Sequence, residues 1–349
     1  MIIHPNHPWI QYSGRVDVSD QMTARFDWPL TGVTAAFEGK GIGFLLEDGK
    51  NNYDVYVDGQ LFGVWVTSSA IEEYEVTGLK RGRHVLQVIK RTESSWGTAI
   101  FKGLVLPKGT VLAEPPNPSE RRIEIIGDSI SAGYGNEGSN FLCADLRPFQ
   151  NANQAYGAML ARRFAADCHV EAISGKGLVR NWGDFKKVSP DPMPIYLSNT
   201  LGLYPGVPWN FNSWIPDVVI LFLGTNDFST NPKPDPDFFV LAYEKLIQKI
   251  RGHYPKAWIL CLGRKDMPDM ASAVWDAVHR EKKIGNIRLR YISIQPFNAA
   301  DMGCDGHPKV ADHKRLADHL TPFIARLLKW RKAPALSRRH SSKKTPLKV

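Results

Sequence analysis

The sequence predicts a two-domain protein. An all-β sandwich of jelly-roll type spans residues 1–110, and a doubly wound α/β domain spans 121–330. Three observations carry this. Short β-branched and aromatic runs recur roughly every ten residues up to Leu106, with no helical period between them. The segment Pro107–Glu120 (PKGTVLAEPPNPSE) is Pro-rich and aperiodic, and residues 111–120 within it are assigned as a linker. From Arg121 onward, apolar strand-like runs alternate with amphipathic helical stretches, the pattern of a parallel sheet with right-handed crossovers. A chain of 349 residues is long enough to build two separate cores.

In the first domain, strands are expected at Val33–Phe37, Gly41–Leu46, Tyr53–Val57, Glu73–Val76, His84–Lys90 and Thr98–Leu106. Turn signals separate them at Glu38–Gly41, Asp48-Gly49 and Asp58-Gly59. In the third run, Tyr53, Val55 and Val57 share one face, and Asp54, Tyr56 and Asp58 the other. A small sandwich of this kind serves either to bind sugar or to support a neighbouring domain, and Trp65 and Trp96 fit both roles.

In the second domain, Ile123–Ile126 reads as a buried strand. The turn Gly127-Asp128-Ser129 follows, and then a helix. This places Ser129 at the carboxyl end of a strand, the edge where open α/β sheets bind ligands, beside N–H groups that favour a developing negative charge. Asp128-Ser129 serves equally well as a helix cap, so the stretch alone leaves nucleophile and cap open. It is not a G-x-S-x-G elbow, because position 131 is Ser. Helices are expected over Gln154–Ala166, Asp237–His253, Met270–Lys283 and Val310–Trp330, and further strands over Cys168–Ile173, Asp217–Leu223, Ala257–Leu262 and Leu289–Ile294. The run 217–223 is continuously apolar, as a central strand covered on both faces requires. Residues 181–214 break the rhythm with several Pro and with Trp182, Trp209 and Trp214. They form either a substrate wall or a packed excursion.

Charge and composition narrow the function. Of the net charge of +9, a surplus of seven comes from 330–349, a stretch with no acidic residue. The folded part is therefore not strongly basic, and no nucleic-acid partner is expected. The tail 331–349 lacks core-forming residues and is expected to be disordered, either simply solvated or touching an acidic partner. No membrane span and no signal peptide are read, so the chain is cytoplasmic or a trimmed secreted form. The four cysteines show no C-x-x-C spacing. This argues against structural zinc and leaves one disulfide open. No metal or other cofactor is expected.

Three predicted strands thus end on one sheet edge, in Gly-Asp-Ser, Ser-Gly-Lys-Gly and Gly-Thr-Asn-Asp, and Cys304-Asp305-Gly306-His307-Pro308 precedes the last helix. Together these supply what acyl transfer needs: Ser129 as nucleophile, His307 as base, and the Ser129 and Gly175 N–H groups with the Asn226 amide as an oxyanion hole. A chance convergence of four turn and cap residues is the weaker explanation.

These blocks, in this order, resemble the SGNH (GDSL-type) hydrolase superfamily over Ile123–Trp330. More narrowly, the preceding sandwich with GDSISAGYG, SGKGLVRN, LFLGTNDFS and CDGHP is similar to carbohydrate esterase family 2. The resemblance implies a flavodoxin-like catalytic domain and a metal-free serine esterase. Its substrate would be an acetylated carbohydrate such as xylan or glucomannan, often deacetylated at the 6-O position. Many members of the superfamily carry Asp three residues before the His, where this chain has Cys304. Either Asp305 reaches the imidazole, completing a triad, or a backbone carbonyl orients the ring and leaves a dyad. With Gly at 306, any aromatic sugar platform comes from Trp182, Trp209 or Trp214. The competing readings are a lipase or thioesterase acting on short acyl esters, and a non-catalytic sugar-binding protein.

Overall fold

A computed structural model of the chain describes residues 1–68, 70–204 and 206–333. From residue 334 onward the basic tail lies outside the described residues.

The first domain consists of two antiparallel sheets. Strands Ile2–Ile3, Ala24–Phe26, Ile42–Glu47, Ile71–Val76 and Ala99–Val105 form one, and Ile10–Ser13, Gly32–Gly39, Asn52–Val57, Gln60–Val66, Gly82–Lys90 and Val111–Ala113 form the other. Phe26, Phe44 and Phe101 from the first sheet and Phe37, Tyr53, Val55 and Val88 from the second fill a shared core. Val111–Ala113, expected in the linker, instead pair with Ala36–Glu38 as an edge strand. Tyr53 and Val55 share a face, as predicted, and it is the core face, but Asp54 on the opposite face is also buried. The second domain covers that face: the Asn153 amide donates to both the Asp54 carboxylate and the Tyr56 hydroxyl at 2.9 Å.

The second domain has a five-stranded parallel sheet. Numbered by chain position within the sheet, its order is 2-1-3-4-5: Asp167–Ala172, Arg122–Gly127, Val218–Phe222, Trp258–Arg264 and Leu289–Ile294. Helices Tyr156–Phe164 and Val310–Leu328 pack together on one face, and Pro236–His253 and Pro268–Lys283 on the other. Every residue of Val218–Phe222 is buried, which is why that run lacks any polar alternation. The strand order reverses direction beside Arg122–Gly127, so the switch point falls at the strand that leads into Ser129.

Arg15 joins the two domains. It is fully buried and lies between Glu124 and Glu171 of two adjacent strands, at 3.1 and 2.9 Å. It also donates to the carbonyls of Leu197 and Asn199. Burial raises both carboxyls, and the Arg15 cation between them pulls both back down. Replacing Arg15 by Met leaves the two buried carboxyls without their cation. We expect a loss of about 3–5 kcal/mol in unfolding free energy, read from urea denaturation. A loss below about 1 kcal/mol, the range of an exposed pair, would show that the cluster does not hold the interface together.

Candidate active site

The parallel register sets the site. Gly127 pairs with Ala172 on one side and Phe222 on the other, so three loops leave the sheet at one level. The first carries Ser129. Asp128 caps a helix of one turn, Ser129–Ala132, its carboxylate accepting from the Ile130 N–H at 3.0 Å. The helix is shorter than the sequence suggests, so its contribution to anion binding is local N–H groups rather than a long dipole. Asp128 is thus the cap, and Ser129 is left with its hydroxyl 2.8 Å from His307 Nε2.

His307 comes from the loop before the last helix. Its Nδ1 lies 3.1 Å from the Cys304 carbonyl. A carbonyl only accepts, so the proton resides on Nδ1 and Nε2 is free to accept from Ser129. Asp305 is not the partner of the ring. It sits in the left-handed region at φ +51°, which turns its carboxylate to accept from the Tyr134 hydroxyl at 2.7 Å. Of the two arrangements that the sequence leaves open, the structure has the backbone carbonyl on Nδ1, and Asp305, offered as the triad acid, makes no hydrogen bond to the ring. The Tyr134 ring packs against the His307 ring with centroids 4.3 Å apart. Burial lowers the His307 pKa below its ordinary value, while the Cys304 carbonyl and the Asp305 charge push it back up.

A disulfide, Cys143–Cys304, ties the carbonyl that orients His307 to the loop after Gly138. In that loop Phe141 lies over Gly306. A Cβ on Gly306 would stand 3.0 Å from the Phe141 ring, and φ of +72° already favours glycine there. Neither the bridge nor Phe141 carried a usable sequence signal, because the cysteines are far apart in the chain.

The second and third loops bring Gly175 and Asn226. Gly175 has φ +77° with open space where a side chain would stand. Asn226 lies buried at the start of a short helix, Thr225–Ser229, and one of its amide hydrogens goes to the Lys176 carbonyl at 2.8 Å. The other amide hydrogen is left for a ligand. Asp227, next in the chain, accepts from the N–H groups of Leu178, Val179 and Arg180 at 2.9, 2.7 and 2.9 Å. Burial raises it to about 6, still ionised at neutral pH. Sequence reasoning missed Asp227, although it stood in the Gly-Thr-Asn-Asp block.

The three Trp residues separate. Trp182 is exposed, and its backbone N–H donates to the Gly175 carbonyl at 2.8 Å. Trp214 instead stacks on His169, centroids 3.6 Å apart, and donates to Asp167. Asp167 opens the strand whose far end leads to Gly175, so Trp214 sits roughly 20 Å from the site by strand rise. Trp209 packs edge-on to the same His169 and over the Arg15 guanidinium. Trp214 therefore sits at the opposite end of the sheet and Trp209 against the buried Arg15 of the domain interface, neither beside Ser129. Among the described residues, no group of three or more His, Cys, Asp or Glu side chains could hold a metal ion.

The family model for the carbohydrate esterase 2 N-terminal region matches residues 12–116, and that for the GDSL-like lipase/acylhydrolase family matches 125–300. A cellulase/esterase of Acetivibrio thermocellus is 35% identical over 335 residues, 93% of this chain and 40% of that protein. The chain thus spans well under half the length of that relative. An acetylxylan esterase/glucomannan deacetylase of Cellvibrio japonicus is 29% identical over 86% of this chain and 84% of its own length. Among solved structures, a family two carbohydrate esterase from Clostridium thermocellum in complex with cellohexaose superposes with a TM-score of 0.87 at 33% identity. The match covers 92% of this chain and 99% of that one.

Three outcomes follow from the geometry. Asp305→Asn should cost no more than about tenfold in kcat/KM, against roughly 10⁴-fold for loss of a true triad carboxylate. Because the Asp305 charge raises the His307 pKa, removing it should shift the acid limb of the kcat/KM profile to lower pH. Asn226→Ala should lower kcat about 100- to 1000-fold if its free amide hydrogen meets the oxyanion.

Proposed function

The chain belongs to carbohydrate esterase family 2, and on that premise we propose that it removes O-acetyl groups from polysaccharide through a Ser129–His307 dyad. The observation that carries the reading is the 2.8 Å contact between Ser129 Oγ and His307 Nε2, with Gly175 and Asn226 on the same sheet edge.

Ser129 Oγ attacks the acetyl carbonyl as its proton passes to His307 Nε2. The carbonyl oxygen becomes an oxyanion held by the Ser129 and Gly175 N–H groups and the Asn226 amide. The tetrahedral centre collapses, the sugar oxygen leaves with the proton from His307, and Ser129 is acetylated. Water then gives its proton to His307 and attacks the acetyl carbonyl. Acetate departs and Ser129 recovers its hydrogen. The Cys304 carbonyl keeps its hydrogen bond to Nδ1–H throughout. Asp305 contributes its charge at a distance rather than by direct contact.

A sugar substrate accords with the exposed Trp182, whose backbone is bonded to Gly175, with the open space over Gly175, and with the cellohexaose bound to the Clostridium thermocellum relative. We place the favoured ester at a primary 6-O position. Ser129 is only 6% exposed, and an ester on the exocyclic carbon reaches further from the ring than one on a ring carbon. The disulfide beside His307 accords with work in an oxidising compartment. No helix among the described residues is long and apolar enough to cross a membrane.

Acetate release from acetylated glucomannan, acetylated xylan and an aryl acetate tests the reading, with Ser129→Ala as the control. The expected result is release from the glycans by the parent and none by the variant. Cleavage of the aryl acetate with no glycan turned over would overturn the substrate class. Rates that rise with acyl chain length beyond acetyl would favour a lipase or thioesterase, and sugar binding without turnover a non-catalytic protein.

A further inference from the structure

The segment between strands Gly82–Lys90 and Ala99–Val105 of the first domain, Thr92–Trp96, runs beneath the catalytic loops of the second. Glu93 in this segment is buried, and its carboxylate is not spent within its own domain. One oxygen accepts from the Ser174 N–H at 2.5 Å; the other accepts from the Ser174 hydroxyl at 2.6 Å and the Gln150 amide at 3.1 Å. Ser174 immediately precedes Gly175, whose N–H is one of the oxyanion donors. Gln150 also reaches toward the carbonyl of Ala132, the last residue of the nucleophile helix, at 3.5 Å, and accepts from the Trp96 indole at 2.7 Å. A single side chain from the first domain therefore touches the oxyanion loop directly and the nucleophile turn through one amide.

We propose that Glu93 is a positioning residue for ester hydrolysis, by which the N-terminal domain fixes the Gly175 N–H at the oxyanion. The inference rests on the esterase reading above and extends it, since it makes the sandwich part of the catalytic apparatus rather than an appended sugar-binding module. Gly175 needs such a clamp. At φ +77°, with open space where a Cβ would stand, it has no side chain to hold its N–H in place, and the direction of that N–H is inherited from Ser174. Two hydrogen bonds from one residue to one carboxylate fix both the position and the rotation of Ser174. The clamp is itself anchored. The Lys90 ammonium, fully buried, donates to the carbonyls of Asp27, Thr92 and Glu93, tying down the backbone of the segment.

The test compares Glu93→Gln, Glu93→Asp and Ser174→Ala with the parent on an aryl acetate, measuring kcat, KM, the acid limb of the pH profile and the thermal midpoint. In Glu93→Gln the shape is kept, but one carboxylate oxygen becomes an NH₂ that cannot accept from the Ser174 N–H. We expect kcat to fall about 10- to 100-fold with KM within threefold, because the interaction acts on the transition state. The acid limb should stay in place, since His307 is untouched. Ser174→Ala keeps the N–H bond to Glu93 and should lose less. Glu93→Asp should recover part of the activity by restoring a carboxylate on a shorter arm. In an Asn226→Ala background, Glu93→Gln should cost a different factor from its cost alone, as expected of groups acting on one oxyanion. A kcat for Glu93→Gln within twofold of the parent would overturn the proposal. So would a loss that matches the unfolded fraction, or one carried equally by KM. A parent that does not cleave the aryl acetate would instead remove the esterase reading, and this inference with it.

Discussion

The in-register pairing of Gly127 with Ala172 and Phe222 brings three loops out of the sheet at one height. Ser129, Ser174-Gly175 and Gly224–Asn226 each follow a paired residue by only a few positions, so their separation is set by the spacing of hydrogen-bonded strands. A slip of one residue in any of the three strands would reverse the face of every side chain on that strand. It would also carry its loop several ångströms out of level. The buried Val218–Phe222 strand guards against this, because its apolar side chains are fitted on both faces. The precision of the catalytic edge is thus a property of the core beneath it.

What the sheet brings together, buried carboxylates then hold. Asp227 gathers three successive N–H groups of 178–180, Asp128 caps the nucleophile turn, and Glu93 grips Ser174 from the other domain. Each satisfies backbone donors in a loop that has no ladder to satisfy them. Beneath them, Arg15 does the same for two carbonyls while pairing with Glu124 and Glu171. The domain interface is therefore polar as well as extensive. It is polar where it must fix geometry, and aromatic, through Trp209 and Trp214, where it must shield charge.

Most of the architecture was legible in the sequence because periodicity and turn chemistry are local signals. The strands of the second domain, its four long helices and the residues meeting at the sheet edge could all be read from them. The misses share a cause. Val111–Ala113 forms a strand only because Gly32–Gly39 offers an edge, which no local pattern announces. Alternation put Asp54 on the face opposite Tyr53 but could not say that this face is covered, because the covering domain lies far along the chain. Trp209 and Trp214 were offered as a sugar platform because aromatic content does not say which end of a sheet a loop reaches. Asp305 looked like a base partner because adjacency to His307 is visible in the sequence, while the left-handed turn that aims it at Tyr134 is not. Glu93 and the Cys143–Cys304 bridge are long-range pairings of the same kind.

The contact between Phe141 and Gly306 means that two positions far apart in the chain draw on a single volume beside the base. An aromatic wall there can be supplied from the loop after Gly138 or from the residue preceding His307, but the two sources exclude one another. A bulky residue at 306 would have to displace Phe141, and the displaced loop is tethered through Cys143 to Cys304, next but one to residue 306. Variation at these sites is therefore coupled. The chain is free to change which segment forms the wall only by changing the loop, the bridge and the glycine together.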